Sequence, residues 1–379
     1  MKLTRRILLA GAIAFSASTA FTAASFAETA TIGVMNAMTG PYAFGGVPIQ
    51  NAMKLAIEQA NASGALGDLK LEVVEGDTAG DKGQTITLVS KFAQSDNALM
   101  IIGPTTSIEG TAGAPVANEL KVPIMAIGSS TGILDAGPYS FKVQAVGSDI
   151  MGALSDYVAN NMGAKKISIV FDRGNDGFVG QKDAFKKKIE EAGVEIVSEE
   201  GILATDTDFL ALATKLASQE IDAFFVAAPA EVGANFLLQT RQAGVPMDIR
   251  FVGPSTFATP AFVDTAQGAA EGSIVLADYF MGSPDEANQA FVKAYQDKYG
   301  SQPDNWAAMG YALASLAVEA IKDAGPNPDR EKVKDALSNL KDEPTIIGNH
   351  TWSMDEGRNP HYGAAILLVK DGAFELAPQ

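Results

Sequence analysis

The sequence predicts an α/β fold in two lobes, each a largely parallel sheet with helices on both faces. Three observations carry this. Short β-branched and apolar runs alternate with segments whose apolar residues recur every three or four positions, the pattern of repeated strand–helix units. The alternation runs through two series, one opening at Thr31 and the other near Ser148. At 379 residues the chain is also longer than one hydrophobic core usually organises.

The first series opens with a strand at Thr31–Val34. From Ile49, the positions Ala52, Met53, Ala56, Ile57 and Ala60 mark one face of a helix, which Asn61-Ala62-Ser63-Gly64 stops. A strand at Leu69–Val74, a helix around Gln84–Ala93, a strand at Ala98–Ile102, a helix near Ile108–Leu120 and a strand at Val122–Ile127 follow. In the second series Ser148 is a good N-cap ahead of Ile150, Leu154 and Val158, and Gly163 ends that helix. Then come strand Lys166–Phe171, helix Phe178–Ala192, strand Val194–Val197 and helix Asp208–Ser218. Strand Ala223–Ala227, helix Val232–Ala243 and strand Arg250–Val252 complete it. The tail changes character: Glu286–Tyr299 and Trp306–Lys322 read as helices, and His350–Trp352 with Ala364–Val369 as the strands of a hairpin.

Ahead of the first strand, Lys2, Arg5 and Arg6 precede the apolar run Ile7–Phe15, and a Ser/Thr/Ala stretch ends in Ser25-Phe26-Ala27. This reads as a secretory signal peptide over residues 1–27, cleaved after Ala27. The apolar run is about half of the ~18–20 residues needed to span a bilayer. The chain has no cysteine, so neither a disulfide framework nor a lipid-modified cysteine is available, and the expected product is a soluble periplasmic protein stabilised by its core. Its formal net charge is −17, which repels phosphate backbones and anionic lipid heads and argues against nucleic acid or membrane-surface partners.

Several chemistries lack their residues. His350 and His361, the only histidines, match no metal-ligand spacing. There is no GxxxxGK(S/T) phosphate loop, no GxGxxG after the first strand, no GxSxG nucleophile elbow and no thiol. No metal, no cofactor and no enzymatic activity are therefore expected. The information lies in the loops after strands, where α/β sheets bind ligands. Four stand out: Thr39–Gly46 with Tyr42 and Phe44, Ile102–Ser107, Ile127–Gly132 with Ser129, Ser130 and Thr131, and Phe171–Phe178 with Asp176. Hydroxyls and free N–H groups at helix starts suit a carboxylate; ordinary helix capping is the other reading of Ser107, Ser129 and Thr131.

The order of these features resembles the periplasmic solute-binding proteins of branched-chain amino acid ABC importers, the leucine/isoleucine/valine-binding family. The residues that carry the resemblance include Met38-Thr39-Gly40-Pro41, Ala56-Ile57-Glu58-Gln59-Ala60-Asn61, Ile101-Ile102-Gly103-Pro104 and Val122-Pro123-Ile124. They continue with Ile221-Asp222-Ala223, Arg241-Gln242-Ala243-Gly244, Phe251-Val252-Gly253-Pro254, Ala270-Glu271-Gly272 and Gly357-Arg358-Asn359-Pro360. The resemblance implies a type I periplasmic binding fold, two Rossmann-like lobes joined by a three-segment hinge near Val143–Ser148, Ile274–Tyr279 and Thr345–Trp352. One lobe would take residues 28–145 and 277–348, the other 146–276 and 349–379.

It implies a non-catalytic monomer that captures an amino acid or related small carboxylate between its lobes and delivers it to ABC transporter permease subunits. The ligand's carboxylate falls to Ser107 with Ser129, Ser130 and Thr131, and Trp306 is the aromatic beside the cleft. Other positions depart. The acid that commonly pairs with the ligand's ammonium is here Ser255, and tyrosines common in two further loops fall near Asp176 and Ala230. Two ligand classes stay open: an amino acid whose ammonium meets Asp176, or an aromatic or hydrophobic carboxylate or amide. A sensing role, with the closed lobes docking on a receptor, is open as well. The candidate ligand-binding residues are Tyr42, Phe44, Ser107, Ser129, Ser130, Thr131, Asp176, Phe178, Ala230, Ser255 and Trp306.

Overall fold

The structure is a computed structural model that describes residues 28–378; the expected signal peptide and its expected cleavage after Ala27 lie outside the described residues. The first lobe is built on five strands, β1 (Thr29–Asn36), β2 (Lys70–Asp77), β3 (Met100–Ile102), β4 (Ile124–Ala126) and β5 (Ser140–Lys142). All are parallel, in the order β2-β1-β3-β4-β5. Their connections are α1 (Ala43–Ser63), α2 (Lys82–Gln94), α3 (Ser107–Glu119) and the single turn α4 (Gly132–Asp135). β3 and β4 are buried along their whole length, as strands covered on both faces must be. α2 begins where Asp81 accepts from the Gln84 N–H, and α3 where Thr106 and Glu109 each cap the other's backbone.

The second lobe repeats the plan with α5 (Gly147–Asp156), β6 (Lys166–Asp172), α6 (Asp176–Glu191), β7 (Glu195–Ile202) and α7 (Leu210–Ala217). It continues with β8 (Ala223–Ala227), α8 (Ala230–Gln242), β9 (Arg250–Gly253), α9 (Pro260–Ala266) and β10 (Ile274–Ala277). Its core is aromatic: Phe224, Phe236, Phe251, Phe257 and Phe262 are wholly buried, and Phe251 meets Phe257 edge to face at 4.9 Å.

The chain then returns to the first lobe with α10 (Glu286–Tyr299), α11 (Asn305–Asp323) and α12 (Arg330–Asn339). α11 lies along α1 at close range, because a Cβ on Gly310 would stand 2.4 Å from the Ile49 carbonyl oxygen. β11 (Glu343–Pro344), β12 (Thr351–Met354) and β13 (Pro360–His361) form a small antiparallel sheet. β14 (Ala365–Lys370) and β15 (Ala373–Leu376) complete the second sheet, in the order β15-β14-β10-β9-β8-β6-β7.

The backbone thus passes between the lobes three times, after β5, after β10 and ahead of β14. The crossings are tied to one another. The buried Trp352 indole donates to the Val143 carbonyl at 3.0 Å. The Tyr362 hydroxyl donates to Asp278 at 2.8 Å and accepts from the Ala145 N–H at 3.2 Å. Asp278 is itself wholly buried, and burial with the neighbouring Asp278 charge pushes the Tyr362 hydroxyl well above its usual range.

Two expectations are corrected. The first helix starts at Ala43 rather than near Ile49, so the glycine-rich stretch around Phe44 is helical and not a loop. Close packing selects Gly46 there: a Cβ would stand 1.9 Å from the Ala37 carbonyl oxygen. The hairpin between His350–Trp352 and Ala364–Val369 does not form. β12 pairs with β11 and β13, while β14 pairs with β10 and β15. Asp355 accepts from the Asn359 N–H at 2.8 Å and closes the turn that brings β13 back onto β12. β14 is left to bury Leu367 and Val369 against the second sheet.

Candidate ligand-binding site

The carboxyl ends of the two sheets face each other, and the loops that leave them build one cleft. In the first lobe the Thr105 hydroxyl accepts from the Ala37 N–H at 3.0 Å and pins the loop after β3 to the end of β1. Thr106 is the cap of α3, its hydroxyl donating to Glu109 at 2.6 Å. Burial raises the Glu109 carboxyl above its ordinary range, against the hydrogen bonds from Thr106 and Thr78. Capping is thereby done by Thr106 and Glu109. Ser107, the first residue of the helix, instead turns its hydroxyl to the next loop and accepts from the Ser130 N–H at 3.1 Å. That loop is held from behind by the buried Lys142, whose ammonium donates to the Ser129 carbonyl at 3.0 Å.

In the second lobe Asn175 caps α6, accepting from the Gly177 N–H at 2.9 Å. The start of α6 presses against the start of α3: a Cβ on Gly177 would stand 2.4 Å from the Ser107 Oγ. Two helix N-termini therefore converge from opposite lobes, and their positive ends favour an anion between them. One turn into α6, Gln181 donates to the Ser129 hydroxyl at 3.3 Å, across the cleft. Tyr42 and Asn175 both line the cleft, one from each lobe. Burial pushes the Tyr42 hydroxyl up to about 12 against the lowering influence of the Asn175 side chain, with the Asp172 and Glu109 charges adding to the rise.

The third wall comes from the hinge side. Trp306, at the start of α11, meets Phe44 edge to face at 5.9 Å. Gln144, on the first crossing, donates to the Ser255 hydroxyl and to Asp278, each at 3.3 Å. Nearby the Thr259 hydroxyl of the second lobe donates at 2.8 Å to Asp304, which caps α11 of the first. The space enclosed is about 40 Å³. By the same measure a water takes roughly 10–15 Å³, so the lobes must part for a ligand of amino-acid size. Larger hollows of about 570 and 590 Å³ lie at the amino ends of the two sheets, on the side where such folds do not build ligand sites.

The structure brings Tyr42, Phe44, Ser107, Ser129, Phe178 and Trp306 around this space. It puts Ser130, Thr131 and Asp176 on an adjoining outer groove. Ser255 stands behind Gln144, and Ala230 is packed in the core of the second lobe. Lining residues missed from the sequence are Thr105, Thr106, Gln144, Asn175, Gln181 and Thr256. Gln181 lies on the buried face of α6 with Phe178 and Phe185, a spacing that could have found it. Gln144 sits on a crossing segment with no periodic signal. Among the described residues, no group of three or more His, Cys, Asp or Glu could hold a metal ion, and no helix is long and apolar enough to cross a membrane.

A family model described as periplasmic binding protein matches residues 29–373. The Leu/Ile/Val-binding protein BraC3 of Rhizobium johnstonii is 26% identical over 341 residues, covering 89% of this chain and 90% of that protein. The structure of the branched-chain amino acid transporter substrate binding protein LivJ from Streptococcus pneumoniae, in complex with isoleucine, is similar with a TM-score of 0.85 and 25% identity. It covers 92% of this chain and 98% of its own. A solute binding protein of an ABC transporter from Rhodopseudomonas palustris BisB5, in complex with 3,4-dihydroxy benzoic acid, is similar with a TM-score of 0.83 and 26% identity over 91% of this chain and 95% of its own. The match extends over both lobes and the hinge between them, and the chain belongs to the periplasmic binding protein family, with the type I fold.

Proposed function

We propose that this protein is the periplasmic solute-binding component of an ABC importer. It captures an amino acid or related small carboxylate between its lobes and delivers it to the membrane permease, as a monomer and with no catalysis of its own. The observation that carries the reading is the meeting of the α3 and α6 N-termini, with the Ser107 and Ser129 hydroxyls, on a cleft between lobes. That arrangement offers dipoles and donors to a carboxylate and has the shape of a clamp. The names of the relatives support it, since one binds isoleucine and another 3,4-dihydroxy benzoic acid. A ligand touching both lobes stabilises the closed form, and the permease reads that form. In this reading residues 28–145 and 277–348 move as one lobe against 146–276 and 349–379, after the leader is removed at Ala27.

Mass spectrometry of the small molecules released by denaturing the purified protein tests the reading, followed by calorimetric titration of the compound found. A carboxylate is expected. A charge-assisted hydrogen bond contributes about 1.5–3 kcal/mol, so Ser107→Ala should weaken binding by roughly ten- to a hundredfold. Unchanged affinity would remove Ser107 from the site.

A further inference from the structure

We infer that the solute is a carboxylate without an ammonium group, its body a flat aromatic ring bearing a hydroxyl. The inference deepens the proposed binding role and rests on it. Four rings, Tyr42, Phe44, Phe178 and Trp306, wall the cleft, and none of the described residues lining it is acidic. An amino acid brings an ammonium, and an ammonium moved out of water without an anionic partner is strongly disfavoured.

The neighbouring carboxylates Asp172, Asp176 and Asp278 stand outside the lining of the cleft. Asp176 faces the outer groove. Asp278 is held behind Gln144 by Tyr362, Gln144 and Asn305. Asp172 accepts from the Gly174 N–H at 2.9 Å, and its second oxygen is buried without a partner, which makes it the rival that a test has to separate.

The unmet polar atoms on the cleft are uncharged. The Trp306 indole N–H and the Gln181 amide oxygen are both buried with no hydrogen-bond partner among the described residues. The two residues are 7% and 4% exposed, and both line the cleft. One is a donor and the other an acceptor. A ring hydroxyl can accept from the Trp306 N–H, which the alkyl chain of leucine or isoleucine cannot do, while Gln181, bonded to Ser129, stands at the carboxylate end. A flat ring also enters between ring walls with less parting of the lobes than a branched chain requires.

The test is calorimetric titration of protein stripped of co-purified solute by unfolding and refolding, against 4-hydroxybenzoate, benzoate, tyrosine and leucine. We expect 4-hydroxybenzoate to bind at least tenfold tighter than benzoate, and both amino acids at least a hundredfold more weakly than 4-hydroxybenzoate. Trp306→Phe keeps a ring and removes the N–H, and should erase the preference for the hydroxyl while benzoate binding persists. Leucine or tyrosine binding more tightly than the aromatic acids overturns the inference and leaves the carboxylate site standing. Asp172→Asn then identifies whether the rival carboxylate holds the ammonium. No binding by any of the four overturns both this inference and the proposed carboxylate site. The wild-type panel decides these outcomes, so a poorly folding variant does not leave the matter open.

Discussion

Replacing Gly177 by alanine separates closing from folding. The added Cβ would stand 2.4 Å from the Ser107 Oγ and 2.9 Å from its Cβ. The hydroxyl can swing away on χ1, but the Ser107 Cβ is fixed to the backbone of α3. The lobes must therefore shift by several tenths of an ångström or more. Overpacking of this kind costs about 1–3 kcal/mol, and most of it falls on the closed arrangement, because the contact with Asn175 Oδ1 in the same lobe, at 3.1 Å, is the milder one. At about 1.4 kcal/mol per tenfold, ligand affinity should drop by roughly 5- to 150-fold. The fold should not suffer: Gly177 is the second residue of α6, where alanine is the better helix former by up to about 1 kcal/mol. Calorimetry gives the affinity, thermal unfolding without ligand gives the stability, and small-angle scattering with and without ligand reports the lobe separation. Unchanged affinity would refute the contact as a closure element. A clear loss of ligand-free stability would instead assign the contact to the fold.

Two further outcomes follow from buried groups. Burial raises the Asp304 carboxyl above its ordinary range in spite of bonds from the Ala307 N–H and Thr259. Its contribution to stability is therefore fully present below the unfolded pKa, about 4, and is lost as pH rises through the higher folded value. Asp304→Asn retains a good N-cap, so its stability relative to the wild type should improve from pH 3 towards pH 7 in urea titrations; a flat difference would remove the burial argument. Gly310→Ala would put a Cβ 2.4 Å from the Ile49 carbonyl oxygen. It should destabilise the first lobe by about 1–3 kcal/mol, read as a lower urea midpoint, and an unchanged midpoint would show that α1 and α11 can slide apart freely.

The elements of this fold were legible where their causes are local. Ala98–Ile102 and Val122–Ile127 read as strands, and contain β3 and β4, because strands covered on both faces carry largely unbroken apolar runs. Ala52, Met53, Ala56 and Ile57 read as a helix face because all four bury against one side. The start of α1 was misread because glycine is a poor helix former in isolation, and Gly46 is present for a neighbour, the Ala37 carbonyl, that no local pattern reveals. The hairpin was misread for a related reason. Two short apolar runs separated by a turn-rich stretch have the same appearance whether they pair with each other or are taken up by different sheets.

The sequence by itself determined the two βα series, the absence of a thiol and of a GxxxxGK(S/T) loop, and the loops from which a ligand would be approached. Each of these depends on residues near one another in the chain. Only the tertiary structure decided that the Ser107 hydroxyl turns to the Ser130 N–H, that Asp176 looks outward, and that Gln144, Asp278 and Tyr362 lock the three crossings behind the cleft. Their bonds join residues more than eighty positions apart. Periodicity records which face of an element is buried, and carries no mark of which distant element buries it. The cleft exists only once both sheets have formed and the chain has crossed between them three times, so its lining is a property of that arrangement.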